Sequence, residues 1–498
     1  MYRKDAKRET IRSVEEGVVG KYKNLLVNIG LFGLNTIATK LITFLLVPLY
    51  TWYMSAAEFG ITDMSVIVIN LVIPLATLSI ADATLRYALE DKERNKQYIT
   101  IGLLVVTLSC VIVLCCLPCL RLGIFGGLGD YSWLFLLSYA ANAYQMYFNN
   151  VARAVNEVKI IPVASTVTAF ATGALAYVFI GVMHANVQGY FWSLIIGNVL
   201  GCLFYLFGGH LVRYLSVVTP HECVRRLRPM LRYSLPLIPN ALFWWIGTSV
   251  NRFFITSMLG IAYSGLFAAA SKIPSLLNII CGVFQQAWTL SAFQEYRRTN
   301  ISAFFTKIFR VFQCGMVLSS SAIVLLAPWL ARLMLQKEFY GSWVLVPPLI
   351  VAFYFNTMNA FFGTVYTASM KTQTLFTTTV AGSIVIVVAT YLLLPVMGLQ
   401  GACLAMILSN VVVLVLRMWF SRRYIVVEVH WATVLPSLAL LIVQSVVMAL
   451  QIPHYSIYAS LLFAIVVVLQ IVDVMPIVRD VIRQGKMKKL AKDERSAA

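Results

Sequence analysis

The chain has 498 residues, 60% hydrophobic and 12% charged, with a mean hydropathy of +0.81. A soluble chain would carry about a quarter charged residues, so this composition excludes one and calls for many bilayer-long apolar runs. The net charge of +19 invites a nucleic-acid partner, but the placement of the basic residues assigns that charge to membrane topology instead.

The first 23 residues are polar, and the apolar run after them is too long for a cleaved signal peptide. Apolar runs at about 25–50, 60–84, 98–120, 131–151, 158–182, 187–209, 234–259, 265–290, 304–328, 342–366, 374–395, 399–420, 432–450 and 455–476 predict fourteen spans. Strand-length alternation is missing, which argues against a membrane β-barrel. The fold class expected is an all-α polytopic membrane protein. An even count puts both termini on one side of the membrane. Of the 39 basic residues, 33 fall in the tails and loops of that side, 3 in the opposite loops and 3 within spans. The positive-inside rule therefore makes both termini cytoplasmic. Trp52, Tyr53, Tyr131, Trp133, Trp329, Tyr340 and Trp343 fall at outer span ends, where an interfacial aromatic belt belongs.

An internal duplication organises the spans. Asn142-x-x-Gln145 recurs as Asn356-x-x-Asn359, and Val182-Met183 as Val396-Met397, both at an offset of 214. Gln188-Gly189 and Ile195-Ile196-Gly197-Asn198 recur as Gln400-Gly401 and Ile407-Leu408-Ser409-Asn410 at an offset of 212. Related spans cross in the same direction, so the repeat is parallel, with a pseudo-two-fold axis along the membrane normal and a substrate site between the halves. The expected organisation is an N-terminal tail (1–23), an N-lobe of six spans (24–210), a linker (211–233), a C-lobe of six spans (234–423), two appended spans (424–477) and a basic tail (478–498). In the linker, Thr219-Pro220-His221-Glu222 has capping-box spacing with Pro at the first helical position. It predicts a surface helix whose arginines (Arg225, Arg226, Arg228) lie near anionic headgroups.

Polar groups inside the spans carry the functional reading. Lys40 and Asn70 lie near the midplane, about 15 Å deep at 1.5 Å per residue. Arg252 lies seven residues before the outer turn at Leu259, and Lys272 seven after Gly265. Both therefore sit about 10 Å below the same surface on antiparallel neighbours. A cation in hydrocarbon is costly and faces a partner or a watery cavity, and two at one depth form a candidate site for an anion. Asn142, Gln145 and Asn149 share one helical face, as do Asn356, Asn359 and Gly363. Each face serves either interhelical hydrogen bonding or cavity lining, and the repeat places the two opposite each other across one cavity. Gln285 and Gln286 fall near an inner span end, where interfacial solvation accounts for them. Pro48, Pro74, Pro236, Pro239, Pro274, Pro347 and Pro348 permit bends.

Carboxylates are scarce in the spans. Asp63 and Asp82 lie near the ends of span two and Asp473 near the inner end of span fourteen, leaving none at the midplane. Cys115, Cys116 and Cys119 share one apolar run with no His or acidic neighbour at metal spacing, and read as small helix residues. No Walker P-loop occurs, and no catalytic constellation lies within the spans. The expectation is a transporter with no catalytic, metal or cofactor site.

Several local patterns then carry a family resemblance over essentially the whole chain. They are Ala57-Glu58-Phe59-Gly60 and Leu85-Arg86-Tyr87 at the ends of span two, Tyr233-Ser234-Leu235-Pro236 opening span seven, Asn251-Arg252, and Gly398-Leu399-Gln400-Gly401-Ala402 before span twelve. In this order they resemble the multidrug/oligosaccharidyl-lipid/polysaccharide exporter superfamily, in its polysaccharide-repeat-unit flippase branch. Many members have Asp-Arg where this chain has Asn251-Arg252, which leaves the arginine without an adjacent acidic partner. The resemblance implies two lobes opening a central cavity alternately to either face. The implied cargo is an undecaprenyl-diphosphate-linked oligosaccharide, moved to the outer leaflet of the bacterial cytoplasmic membrane. The candidate substrate-binding residues are Lys40, Arg252, Lys272, Asn142, Gln145, Asn356, Asn359 and Asn70. The implied partners are membrane lipids and a polysaccharide polymerase and glycosyltransferases, with the chain itself monomeric and no nucleic acid bound. No cofactor is implied, and the energy source stays open between a coupling ion and the membrane potential. A lipid II flippase would share this chemistry. A cation-coupled drug exporter would need deep carboxylates, and a membrane-embedded glycosyltransferase or polymerase would need large outer loops.

Overall fold

The computed structural model describes residues 39–295 and 301–497. The expected N-terminal tail and the start of span one lie outside the described residues. The first described helix, α1, runs over 39–53. The N-lobe continues with α2 (Ala56–Ala76), α3 (Ile80–Glu90), α4 (Asn95–Cys116), α5 (Ser132–Ala154), α6 (Ile160–Ala176) and α7 (Asn186–Leu203). After the linker helix α8 (Pro220–Ser234) come α9 (Leu237–Met258), α10 (Ile261–Lys272), α11 (Ser275–Glu295), α12 (Ile301–Met334), α13 (Val346–Ala368), α14 (Thr372–Met397) and α15 (Leu399–Ser421). Two further helices, α16 (Trp431–Ala449) and α17 (Tyr455–Ala497), close the chain. No strand occurs among the described residues.

Ten helical segments among the described residues are long and apolar enough to cross a membrane. The pair α10 and α11, bent by 44° at Ile273-Pro274, makes eleven if counted as one span. Helices stand at the expected places, but apolar length does not establish fourteen spans. The shortfall has a cause. Helices α5 and α9, of 23 and 22 residues, are not among the ten; α5 carries Asn142, Gln145, Asn149 and Asn150, and α9 carries Asn240, Asn251 and Arg252. Polar residues that line an interior lower the mean hydropathy of the helix presenting them.

The duplication is legible in the backbone. Helices α5 and α13 both have 23 residues, and both their ends are related by an offset of 214. We call the end with the basic loops inner and the opposite end outer. The lobes meet in the outer half. Gly60 of α2 and Gly265 of α10 form the closest approach: a Cβ on Gly60 would collide with the Ile261 carbonyl, and one on Gly265 with the Ala56 carbonyl. Small residues let backbones touch where lipid offers no hydrophobic drive between helices. Around this crossing Thr51 Oγ1 donates to Met334 O at 2.8 Å, Glu338 Oε1 accepts from the Ala56 amide at 2.5 Å, and Phe59 packs edge-on against Phe339. One step deeper, Trp245 Nε1 donates to Ile67 O at 2.9 Å, and Phe125 packs edge-on against Phe253.

Helix α8 forms where the capping signal places it, with Thr219 Oγ1 accepting from the Glu222 amide. Its arginines divide. Arg225 and Arg228 are exposed, but Arg226 is 7% exposed and lies over the Tyr98 ring of α4, not among headgroups. The expectation for Arg226 is corrected: amphipathic spacing sets which residues share a face, and here that face packs on the N-lobe. At the C-terminus, α17 is tied to α12 and α16. The buried Asp473 carboxylate accepts from Arg310 at 2.6 and 2.8 Å and from Thr433 at 3.2 Å, with His430 Nδ1 at 2.7 Å. Gln444 bonds Ser321 on α12 and the Ala459 carbonyl on α17.

Candidate functional site

The two cations on α9 and α10 do come together, but around a carboxylate. Asp63, seven residues into α2, lies at the same depth of about 10 Å from the outer ends. Its Oδ2 accepts from Arg252 Nε at 3.1 Å, and its Oδ1 lies 3.7 Å from Lys272 Nζ. Arg252 also donates to Ser271 Oγ at 3.3 Å and stacks over the Phe267 ring at 4.4 Å. The side chains of Arg252 and Asp63 are 13% and 12% exposed, that of Lys272 37%. The expectation that Arg252 lacks an acidic partner is therefore overturned. The partner comes from the other lobe rather than from the neighbouring position. Asn251 is 1% exposed, and neither its Oδ1 nor its Nδ2 finds a partner among the described residues. The cluster has net charge +1 and bridges α2 to α9 and α10, tying the two lobes together.

Each lobe has an amide-lined cavity in its inner half. The N-lobe cavity, about 640 Å³, is walled by α5, α6, α7 and the start of α1. It receives Asn142, Gln145 and Asn149 as expected, together with Asn198, Asp82 and Arg153. Gln145 Nε2 donates to Thr168 Oγ1 at 2.7 Å and Asn149 Nδ2 to the Tyr205 hydroxyl at 2.9 Å. The C-lobe cavity, about 540 Å³, receives Asn356, Asn359, Asn410 and Arg417. Asn359 Nδ2 donates to Asn410 O at 3.0 Å, and Asn356 Nδ2 reaches Asn410 Oδ1 at 3.4 Å. Asn198 and Asn410, 212 apart, both enter their cavity walls, so repeat-related positions build repeat-related sites. The two amide faces line separate recesses, which share no lining residue among the described residues. In the N-lobe the amide bonds run to Thr168 of α6 and to Tyr205 just past α7, and in the C-lobe to Asn410 of α15.

Two expected site residues stand apart. Lys40 is exposed, while Thr39, Ile42, Thr43 and Leu46 of the same helix face the N-lobe cavity. Asn70 is exposed on α2 and lies in neither cavity wall. Depth alone selected both, and depth says nothing of which way a helix face turns. Sequence reasoning missed four charged residues at these sites. Asp63 was readable from its matching residue count. Asp82, Arg153 and Arg417 were read as span-end or loop residues; Arg417 lies four residues inside α15.

The polysaccharide biosynthesis protein family matches residues 25–289, just over half of the chain. No curated protein matches it closely. Among solved structures, the chain resembles a lipid II flippase, MurJ, in an inward closed conformation, with a TM-score of 0.72 and 12% identity over 91% of this chain and 99% of that one. It also resembles an inward-facing multidrug resistance transporter of the MATE family (TM-score 0.62, 17% identity, 78% and 94% covered). A further likeness is to a MOP superfamily transporter from Pyrococcus furiosus (TM-score 0.58, 16% identity, 80% and 95% covered). At these identities the likeness is one of fold, shared with transporters and flippases, not enzymes. The chain belongs to the polysaccharide biosynthesis protein family, as a multi-pass membrane protein with many apolar helices.

Proposed function

We propose that the chain is a flippase that carries an undecaprenyl-diphosphate-linked oligosaccharide from the cytoplasmic to the outer leaflet by alternating access. The observation that carries this reading is the pairing of an outer clasp with two inner cavities lined by amides and hydroxyls. Amide and hydroxyl side chains match sugar hydroxyls, and such groups are costly in hydrocarbon unless they face a polar ligand or one another. With the outer half held together, the cavities face the side where a lipid-linked sugar is assembled, both termini lying on that side. Opening requires Arg252 and Lys272 to leave Asp63, and the diphosphate of the carrier is the anion suited to take its place. Arg offers two parallel donors to phosphate, where Lys acts as a point charge. The other proposed binding groups are Asn142, Gln145, Asn356 and Asn359.

The test is export of surface polysaccharide in a host lacking its own repeat-unit flippase, with membrane abundance of the protein measured alongside. Restored export supports the reading. Failure to restore it, with rescue instead of a host depleted of its lipid II flippase, would transfer the assignment to the peptidoglycan precursor.

A further inference from the structure

We infer that the C-lobe cavity is a seat for an acidic sugar, with Arg417 binding the carboxylate or phosphate on its ring. The inference rests on the flippase reading and adds a class of cargo to it. Arg417 donates Nη1 to the Asn359 carbonyl at 2.7 Å, Nε to Thr378 Oγ1 at 3.2 Å and Nη2 to Thr379 Oγ1 at 3.2 Å. All three acceptors are neutral. Among the described residues, Arg252 and Lys272 share Asp63, Arg310 has Asp473, and Arg153 shares its cavity with Asp82, while the buried Arg226 lies over the Tyr98 ring outside any cavity described above. Among the described residues no Asp or Glu lines the C-lobe cavity. A guanidinium has five N–H donors. Three are committed, and the remaining two can meet an anion through the paired geometry that distinguishes Arg from Lys. A cation inside a membrane protein without a counter-charge is costly and marks a site.

The walls suit a sugar ring as the bearer of that anion. Trp244 and Phe293 line the cavity and are 62% and 48% exposed, offering apolar faces to ring C–H groups. Asn240, Asn356 and Asn410 supply amides to the same cavity. The Oδ1 of Asn359 is buried and accepts no hydrogen bond among the described residues. The repeat sharpens the contrast: at an offset of 212, Tyr205 in the N-lobe cavity stands where Arg417 stands in the C-lobe. The C-lobe cavity thus holds a cation where the N-lobe cavity holds a phenol. A phospholipid headgroup also presents a phosphate, and the lipid arm of the test separates the two sources.

The test uses the full chain in phosphatidylcholine nanodiscs, with glucuronate and glucose as probes in titration calorimetry. Glucuronate should bind about tenfold or more tightly than glucose, the worth of one charge-assisted bond. Arg417→Gln should remove that preference and leave glucose binding, and Arg417→Lys should keep part of it. Arg417 also ties α13 and α14 to α15, so Thr379→Asp provides a second route: it keeps the arginine and supplies a competing carboxylate. A preference that survives both Arg417→Gln and Thr379→Asp, or a wild-type chain with none, overturns the seat. Nanodiscs containing phosphatidylglycerol should leave glucuronate affinity unchanged. Displacement of glucuronate by that lipid, dependent on Arg417, would overturn the sugar assignment in favour of a headgroup. A chain that prefers glucuronate yet moves no lipid-linked sugar would sink the flippase reading and leave the seat standing.

Discussion

Asp63→Asn is the substitution that most directly loosens the clasp. It keeps the shape and removes the charge that Arg252 and Lys272 share. Losing the charge-assisted bond from Arg252, 3.1 Å long and 13% exposed, should cost about 1.5–3 kcal/mol. Lys272 is 37% exposed and 3.7 Å away, so solvent screening holds its share to about 1 kcal/mol or less. The interactions on Arg252 that remain, Ser271 and the Phe267 ring, lie on the same lobe as Arg252 and do nothing to hold the lobes together. The whole loss, about 1.5–4 kcal/mol, therefore falls on the outer-closed state and shifts its ratio to the outer-open state by roughly 10- to 1000-fold. Spin labels at Leu122 and Met258, exposed outer positions on opposite lobes, read the separation by electron–electron double resonance in a background without native cysteines. A longer-distance population should emerge in Asp63→Asn and be missing from the parent. An unchanged distance distribution would refute the clasp.

Four further outcomes follow from the same geometry. Gly265→Ala puts a methyl group against the Ala56 carbonyl, so the same label pair should separate without any change of charge; an unmoved distance would show that α2 and α10 yield freely. Asp473→Asn removes the carboxylate that compensates Arg310 of α12 and leaves only the bond to the Asp473 carbonyl certain to stay; a lowered melting temperature in detergent is expected, equivalent to about 3 kcal/mol for a broken buried pair. Asn251→Leu should leave the melting temperature unchanged or raise it, since no hydrogen bond is lost; a large fall would reveal a partner for that amide in another conformation. Reporter fusions active only outside the cytoplasm should be silent at residue 498 and active near residues 126 and 336; activity at residue 498 would reverse the assignment of the inner face.

The sequence made the helices and the repeat legible because both are recorded locally. Apolar run length marks a span, and the offset of 214 between Asn142 and Asn356 survives as equal helices α5 and α13. The amide faces were legible for the same reason, since i, i+3, i+7 spacing is a property of one helix. What stayed hidden belongs to relations between helices. Counting residues placed Arg252 and Lys272 at one depth, yet the same count applied to Asp63 would have completed the cluster. A carboxylate on a different lobe, 189 positions from its arginine, leaves no adjacent signature. Lys40 and Asn70 show the converse, for residue counting addresses depth and leaves the direction of the helix face unfixed. Arg417 was lost to the topology count, where a basic residue near an inner span end reads as a loop charge until α15 is seen to extend past it.

The central claim is that this molecule moves a lipid-linked sugar across a bilayer through the cavities behind the Asp63 clasp. Its most direct measurement is in proteoliposomes loaded with a prenyl-diphosphate-linked oligosaccharide, scored by how much of the sugar becomes accessible to an added impermeant lectin. Purified wild-type chain should raise accessibility well above that of protein-free vesicles, and a double substitution of Arg252 and Lys272 to Ala should return it to the protein-free level. Equal accessibility with and without the wild-type protein would contradict the account.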